Sequence, residues 1–293
     1  MDVDGVAQVR RFNRTVTQRI GALDDRFLSA GRPLGHSRML WEIGTQGADI
    51  RALRSRLDLD SGYLSRILRK LEDDGLVTIE ANPDDRRVRV ARLTDSGVRE
   101  RRQLDAGSDE AAAAVLAALS VPQQRRLIAA MATVDHLLQA SMIEIRPEDP
   151  RHPDARYCIA EYFSELARRF DSGFDPSRSL PAGDHELVPP AGLLLVARLH
   201  GAPVGCAAVK LHPDEPAEVK RMWVADTVRG LGLGRRLLSA IEEHALARQV
   251  RTLRLETNRA LTEAIGLYRS AGYREVPPFN DEPFADHWFE KRL

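Results

Sequence analysis

Val228-Arg229-Gly230-Leu231-Gly232-Leu233-Gly234-Arg235-Arg236-Leu237-Leu238 joins a strand-like run, 218–224, to a helix-like run, 235–248. Glycines at such a junction let backbone N–H groups approach an anion closely. The helix N-terminus behind them adds about half a positive charge. The stretch therefore reads as a cradle for a pyrophosphate. Its spacing, Arg-x-x-Gly-x-Gly, differs from the Gly-x-Gly-x-x-Gly of dinucleotide sites, and no Lys-Ser/Thr pair follows as in a nucleotide P-loop.

Around this stretch, strands and helices alternate. A short strand is expected at 143–146, and prolines at 147, 150 and 153 then break the chain. A helix is expected over 154–170 and a long loop over 171–190. Strands follow at 193–199 and 204–211, then at 218–224, 251–257, 273–276 and 286–292, with helices after the third and fourth of these six.

The first half reads as helical. Val6, Val9, Phe12, Val16, Ile20, Leu23 and Phe27 recur every three or four residues and make one apolar stripe. Shorter helices are expected at 37–44, 48–57 and 61–74, the last with Asp60 as N-cap and Gly75 as its stop. The period then changes to two. Runs at 76–80 and 87–93 flank the turn Asn82-Pro83-Asp84-Asp85, which predicts a hairpin with a charged tip. Thr94 caps a further helix, expected to break near Gly107, and Pro122 starts another that reaches about residue 140. The domain boundary is placed at 141, giving domains 1–141 and 142–293.

Composition narrows the classes. A chain of 293 residues suggests about two domains. The formal net charge is zero, so no global charge favours nucleic acid or membrane, although 51–70 holds six basic residues against two acidic ones. The two cysteines, Cys158 and Cys206, are far apart, and neither they nor the eight histidines show metal-type spacing. No apolar run reaches the ~18 residues of a membrane span, and the start lacks the apolar core of a signal peptide. The expectation is a cytoplasmic protein with no metal.

Helix, helix, helix, hairpin is the order of a winged helix-turn-helix. In 61–77, Leu64, Ile67, Leu68 and Leu71 form an inward face. Ser61, Gly62, Ser65, Arg66 and Arg69 face outward, where short hydroxyls and Arg forks suit the major groove. Arg86, Arg87 and Arg89 on the hairpin could reach a phosphate or the minor groove. Ser65-Arg66-x-Leu68-x-x-Leu71-Glu72-x-x-Gly75-Leu76-Val77, then Asp84-Asp85-Arg86-Arg87 and Leu93-Thr94-Asp95-Ser96-Gly97, resembles the MarR family of transcriptional regulators. The resemblance implies a homodimer on a two-fold symmetric DNA operator. The same fold also serves as a plain interaction module.

The glycine stretch, followed by Leu253-Arg254-Leu255-Glu256-Thr257-Asn258 and by Ala264-Ile265-Gly266-Leu267-Tyr268-Arg269-Ser270-Ala271-Gly272-Tyr273, resembles the GNAT superfamily of N-acetyltransferases. The implied fold is a mainly α winged helix-turn-helix followed by an α/β GNAT domain. The resemblance implies that acetyl-CoA is bound, with Arg229, Gly230, Leu231, Gly232, Leu233, Gly234 and Arg235 on its pyrophosphate. Met222, Trp223 and Val224 would offer backbone groups to the pantetheine, and Asn258 would face it. Tyr268 would protonate the leaving thiolate, Glu218 would be the base for the acceptor amine, and an amide near Val224 would meet the oxyanion. Tyr268 also reads as core, and Glu218 as a strand residue paired with Lys220 or Arg221. Loops 170–175 and 279–286 would wall the acceptor pocket, with Phe174, Phe279, Phe284, Asp171, Asp175, Asp281 and Glu282 suiting a cationic amine. The implied function is a regulator that also acetylates a small-molecule or lysine amine. The alternatives are a sensor of acetyl-CoA without turnover and an acetyltransferase whose winged helix only dimerises.

Overall fold

Hydrophobic periodicity sets the elements of the computed structural model, which describes residues 3–19, 31–82, 85–171, 173–180, 182–212 and 216–293. Ile20, Leu23 and Phe27 of the apolar stripe, and Pro83 and Asp84 of the turn, lie outside the described residues. The chain divides into two compact units, Met1–Ala132 and Thr133–Leu293.

In the first unit α1 (Val3–Arg19) precedes α2 (Leu34–Ile43), β1 (Ala48–Asp49), α3 (Ile50–Leu57) and α4 (Ser61–Asp73). The wing follows as β2 (Val77–Ala81) and β3 (Arg89–Leu93), then α5 (Asp95–Ala117) and the start of α6 (Val121–Met142). β2 and β3 pair antiparallel, and β1 adds to the far edge of β3. Ala48 and Asp49 are therefore strand, not the helix start the sequence suggested. Asp49 instead caps α3, its Oδ1 accepting from Ala52 N at 3.0 Å.

α5 runs unbroken through Gly107. The alanine run after it outweighs the roughly 1 kcal/mol that glycine costs in a helix. α4 begins as its sequence dictates, with Asp60 Oδ1 accepting from Gly62 N (2.9 Å) and Tyr63 N (3.0 Å). Its end is a Schellman turn: Gly75, at φ 69°, donates to Glu72 O, and Leu76 donates to Leu71 O. Leu64, Ile67, Leu68 and Leu71 are buried against Met39, Leu40, Ile43, Leu53 and Ala91.

The second unit is built on a seven-stranded sheet. After α6 come β4 (Glu144–Pro147), α7 (Pro153–Arg169), β5 (Gly192–Leu199), β6 (Ala202–Lys210) and β7 (Ala217–Val224). α8 (Leu233–Ala247), β8 (Thr252–Thr257), α9 (Thr262–Ser270), β9 (Arg274–Val276) and β10 (His287–Arg292) complete it. The strand order is β4-β5-β6-β7-β8-β10-β9, antiparallel except between β7 and β8.

Alternate residues of β5 and β6 serve opposite faces. Leu193, Leu195, Ala207 and Val209 pack with Leu237, Leu238 and Ile241 of α8. Leu194, Val196, Cys206 and Ala208 pack with Ala155, Cys158 and Ile159 of α7. Among the described residues no helix is long and apolar enough to cross a membrane.

Candidate functional site

Two departures from regular pairing open a groove in the second unit. β7 and β8 pair only at Ala217 with Leu253 and Glu218 with Arg254, and the strands part beyond that point. On its other edge β7 carries a bulge, where the register with β6 shifts between Cys206 and Ala208. Arg221, at φ 55°, absorbs it. Past the bulge, Ala225 N donates to Val204 O. Val224 is thus in a non-hydrogen-bonded pair with Gly205, and its N–H and C=O point away from β6 toward the gap. Met222 and Val224, with Trp223 between them, line one wall of that gap.

The glycine loop closes one end. Gly230 and Gly232 sit at φ 83° and 73°, and Gly232 caps α8 in left-handed conformation without a side-chain cap bond. Arg236 N is the first amide to reach back, to Gly232 O at 3.1 Å. The amides of Leu233, Gly234 and Arg235 therefore stand at the helix start with no intrahelical acceptor. Arg229, Gly230, Gly232, Gly234 and Arg235 line the groove, whereas Leu231 turns into the core. A carboxylate holds the Arg229 guanidinium: Glu165 of α7 accepts at 2.7 Å on each oxygen, and Glu165 also meets Arg169. Nothing in the spacing of Glu165 and Arg169 marked them as part of this end. Opposite, His136 Nε2 lies 2.8 Å from Gly230 O and fixes the loop from α6.

Toward the other end the groove passes Tyr162, Leu166, Met222, Leu261 and Ala264 and reaches Tyr268. Tyr268 belongs both to the core and to the lining, its ring tilted against those of Phe289 and Tyr273. Burial pushes its hydroxyl well above the ordinary phenol value, so it stays protonated. Asn258 lies here too, its Nδ2 donating to Phe284 O and its Oδ1 accepting from Ala260 N, so its amide ties two loops together.

Charged groups gather on the floor. Lys220 bonds Glu218 at 2.8 Å and also Glu256. Burial alone would raise the Glu218 carboxyl, but Lys220 and then His212 hold it below its ordinary value. Lys220, against its burial, is held above its own by Glu256 and Glu218. Lys220 and Glu256 line the groove; Glu218 stands behind Lys220, outside the lining. Glu256 was not singled out in the sequence, because on a strand it differs in no local pattern from its neighbours.

Both expected loops do wall this end, through Phe170, Phe174, Glu282 and Phe284. Asp171, Asp175 and Asp281 face solvent, and Phe279 instead lies against Arg254. Glu282 accepts from Leu180 N (2.7 Å), Ser179 Oγ (2.9 Å) and Phe284 N (3.3 Å), so it holds the loop rather than standing free.

In the first unit Ser61, Ser65, Arg66 and Arg69 are exposed along α4, with Gly62 partly so. Ser65 Oγ donates to Ser61 O at 2.8 Å, and Arg66 lies over the Tyr63 ring. Arg86 and Arg87 are exposed at the hairpin.

Comparison with known proteins agrees with both units. The acetyltransferase (GNAT) family profile matches residues 148–273, and the MarR family profile matches residues 30–88. An IAA acetyltransferase of Azospirillum brasilense is 44% identical over 86 residues, 29% of this chain and 56% of that protein. An N-acetyltransferase of Schizosaccharomyces pombe is 36% identical over 102 residues, 33% of this chain and 61% of that protein. The chain thus spans less than two thirds of either relative. A crystal structure described as an acyl-CoA N-acyltransferase from Klebsiella pneumoniae is 30% identical, with 52% of this chain and 98% of that chain covered and a TM-score of 0.42.

Proposed function

We propose that this chain, which joins a MarR-family winged helix-turn-helix to a GNAT-type N-acetyltransferase domain, binds operator DNA as a homodimer and transfers an acetyl group from acetyl-CoA to an amine. The observation that carries the enzymatic part is the groove. It runs from the open amides of α8, along the unpaired edge of β7, to a protonated tyrosine beside an ion-paired floor.

The residues fit coenzyme A. Gly230, Gly232 and the amides of Leu233, Gly234 and Arg235 suit its pyrophosphate. Arg229 joins them when its bond to Glu165 opens. The Val224 C=O, which accepts from Arg229 Nε at 3.3 Å until that side chain turns to the phosphates, suits an amide of a pantetheine arm laid like an added strand. Bound there, acetyl-CoA supplies the activated acetyl thioester.

The chain's own residues do the rest. An acceptor amine near pKa 10 must lose a proton before it attacks. Glu256, on the groove wall, takes that proton through water, and Glu218 backs it through Lys220. The N–C bond forms as the C–S bond breaks. Tyr268 gives its proton to the departing sulfur, and the proton taken from the amine restores the phenol through water. The Val224 N–H faces the groove as the donor for negative charge on the acetyl oxygen.

For the first unit, exposed Ser65, Arg66 and Arg69 on a capped helix support major-groove reading, with Arg86 and Arg87 on the flanking backbone. Val6, Val9 and Phe12 on α1 stay more than 40% exposed, which supports a dimer contact there. A cytoplasmic setting supplies both DNA and acetyl-CoA.

The test is thiol release from acetyl-CoA across an amine panel, repeated with Glu256→Gln, Glu218→Gln and Tyr268→Phe. Activity that drops most in Glu256→Gln and Tyr268→Phe supports the assignment. Full activity in both rejects it.

A further inference from the structure

Among the described residues, the floor of the acceptor end holds a cation with no counter-ion. Arg221 lines this end of the groove. Among the described residues no carboxylate pairs with it. Among the described residues its one side-chain hydrogen bond is long, 3.4 Å from Nη2 to Ala182 O. Its Nε is fully enclosed with no partner. The guanidinium lies 4.3 Å over the Phe163 ring and 5.9 Å from that of Tyr162. Desolvation disfavours its charge.

The backbone holds this arrangement in place. Arg221 sits at the β7 bulge in a left-handed conformation, and Cys206 Sγ donates to its carbonyl at 3.1 Å. A partly buried guanidinium presented from such a turn and left without an anion is an open site for one.

The other charges at this end differ in kind. Glu282 is satisfied by backbone amides and Ser179. Asp184, an acid whose charge favours that of Arg221, is held by Arg156. Lys220 faces two carboxylates, Glu218 and Glu256, with the His212 imidazole 3.3 Å from Glu218, so the cluster holds more acidic groups than fixed positive charges. Lys220 and Arg221, consecutive on β7, thus set a carboxylate-rich cluster and an unpaired positive group side by side. Phe174 and Phe284, 4.9 Å apart between ring centroids, form an apolar wall beside them.

We infer that Arg221 and the Glu218–Lys220–Glu256 cluster receive the two opposite charges of a zwitterionic acceptor. The substrate class is an α-amino acid, or a compound with the same amine-and-carboxylate arrangement. Its carboxylate meets Arg221, its ammonium lies toward Glu256, and its apolar side group rests on Phe174 and Phe284. This inference rests on the acetyl-transfer reading of the groove. Arg221 is a specificity residue and takes no part in proton transfer.

The test is calorimetric binding of a panel of apolar L-amino acids, beginning with phenylalanine, and of their carboxamides, to the full chain. Acetyl-CoA is titrated separately. At least one amino acid should bind tenfold or more tightly than its carboxamide. Arg221→Gln should erase that gap without changing acetyl-CoA affinity, and Arg221→Lys should restore part of it. Carboxamides that bind the wild-type chain as well as the acids overturn the inference, whatever the variants do. A gap that survives in Arg221→Gln overturns it too. A gap with no acetyl-CoA binding upholds the charge site and rejects the acetyl-transfer reading instead.

Discussion

Tyr268 tests whether a core residue can also do chemistry. Phenylalanine keeps its packing on Phe289 and Tyr273 and removes only the hydroxyl. Positioned proton transfer contributes about 10²–10⁴-fold. Tyr268→Phe should therefore lower kcat by about a hundredfold with the melting temperature nearly unchanged; a kcat at the wild-type level would leave Tyr268 as packing alone. Lys220 makes a different prediction. Removing it strands two carboxylates in a largely buried position, so Lys220→Met should cost about 3–5 kcal/mol in urea unfolding. The pH dependence follows from the same cluster. Lys220 and His212 hold Glu218 below its usual range, and Lys220 stays protonated. Glu218 therefore stays ionised through neutral pH and adds no step of its own to the profile. The rate at limiting acceptor should rise about tenfold per pH unit below the amine pKa as the neutral amine accumulates. A plateau below pH 7 would show a stronger base at work.

At the scale of elements, the glycine loop and the α4 helix carry their own predictions. Gly232 has open space around its Cα, so a methyl there meets no neighbour and feels only the left-handed backbone. Gly232→Ala should cost about 1–2 kcal/mol and weaken acetyl-CoA binding measurably. An unchanged melting temperature would deny the strain. Asp60→Ala should remove about 0.5–2 kcal/mol from the first unit by uncapping α4. Element order, the α4 cap and its Gly75 stop were legible because each rests on local rules of period and capping. What escaped the sequence was non-local. Ala48-Asp49 became strand only because the edge of β3 accepts it. The bulge that aims Arg221, the Glu165 carboxylate on Arg229 and the Lys220–Glu256 pair join segments far apart in the chain. The acidic residues expected around the acceptor were misjudged for the same reason: loop composition does not say which carboxylates turn outward. Gly107 was read as a break because one residue was weighed without the alanines after it.

For the molecule as a whole, two behaviours follow. The hydrogen bonds of Lys70 and Arg32 hold the Asp74 carboxyl below its ordinary value, and Arg32 also bonds Glu100. A depressed folded-state carboxyl gives stability that is present above its unfolded pKa, near 3.9, and is lost as pH falls through the folded value. Asp74→Asn should therefore lower the melting temperature at pH 7 but have little effect near pH 2. DNA affinity should fall steeply with salt if α4 and the wing neutralise phosphates, with Arg86→Ala and Arg87→Ala each flattening the slope by about one. The measurement that bears most directly on the acetyl-transfer function is a calorimetric titration of acetyl-CoA into the full chain. The expected result is one site per chain at micromolar strength, weakened in Gly232→Ala. An absence of binding to the folded wild-type protein would contradict it and leave the glycine loop as a turn between β7 and α8.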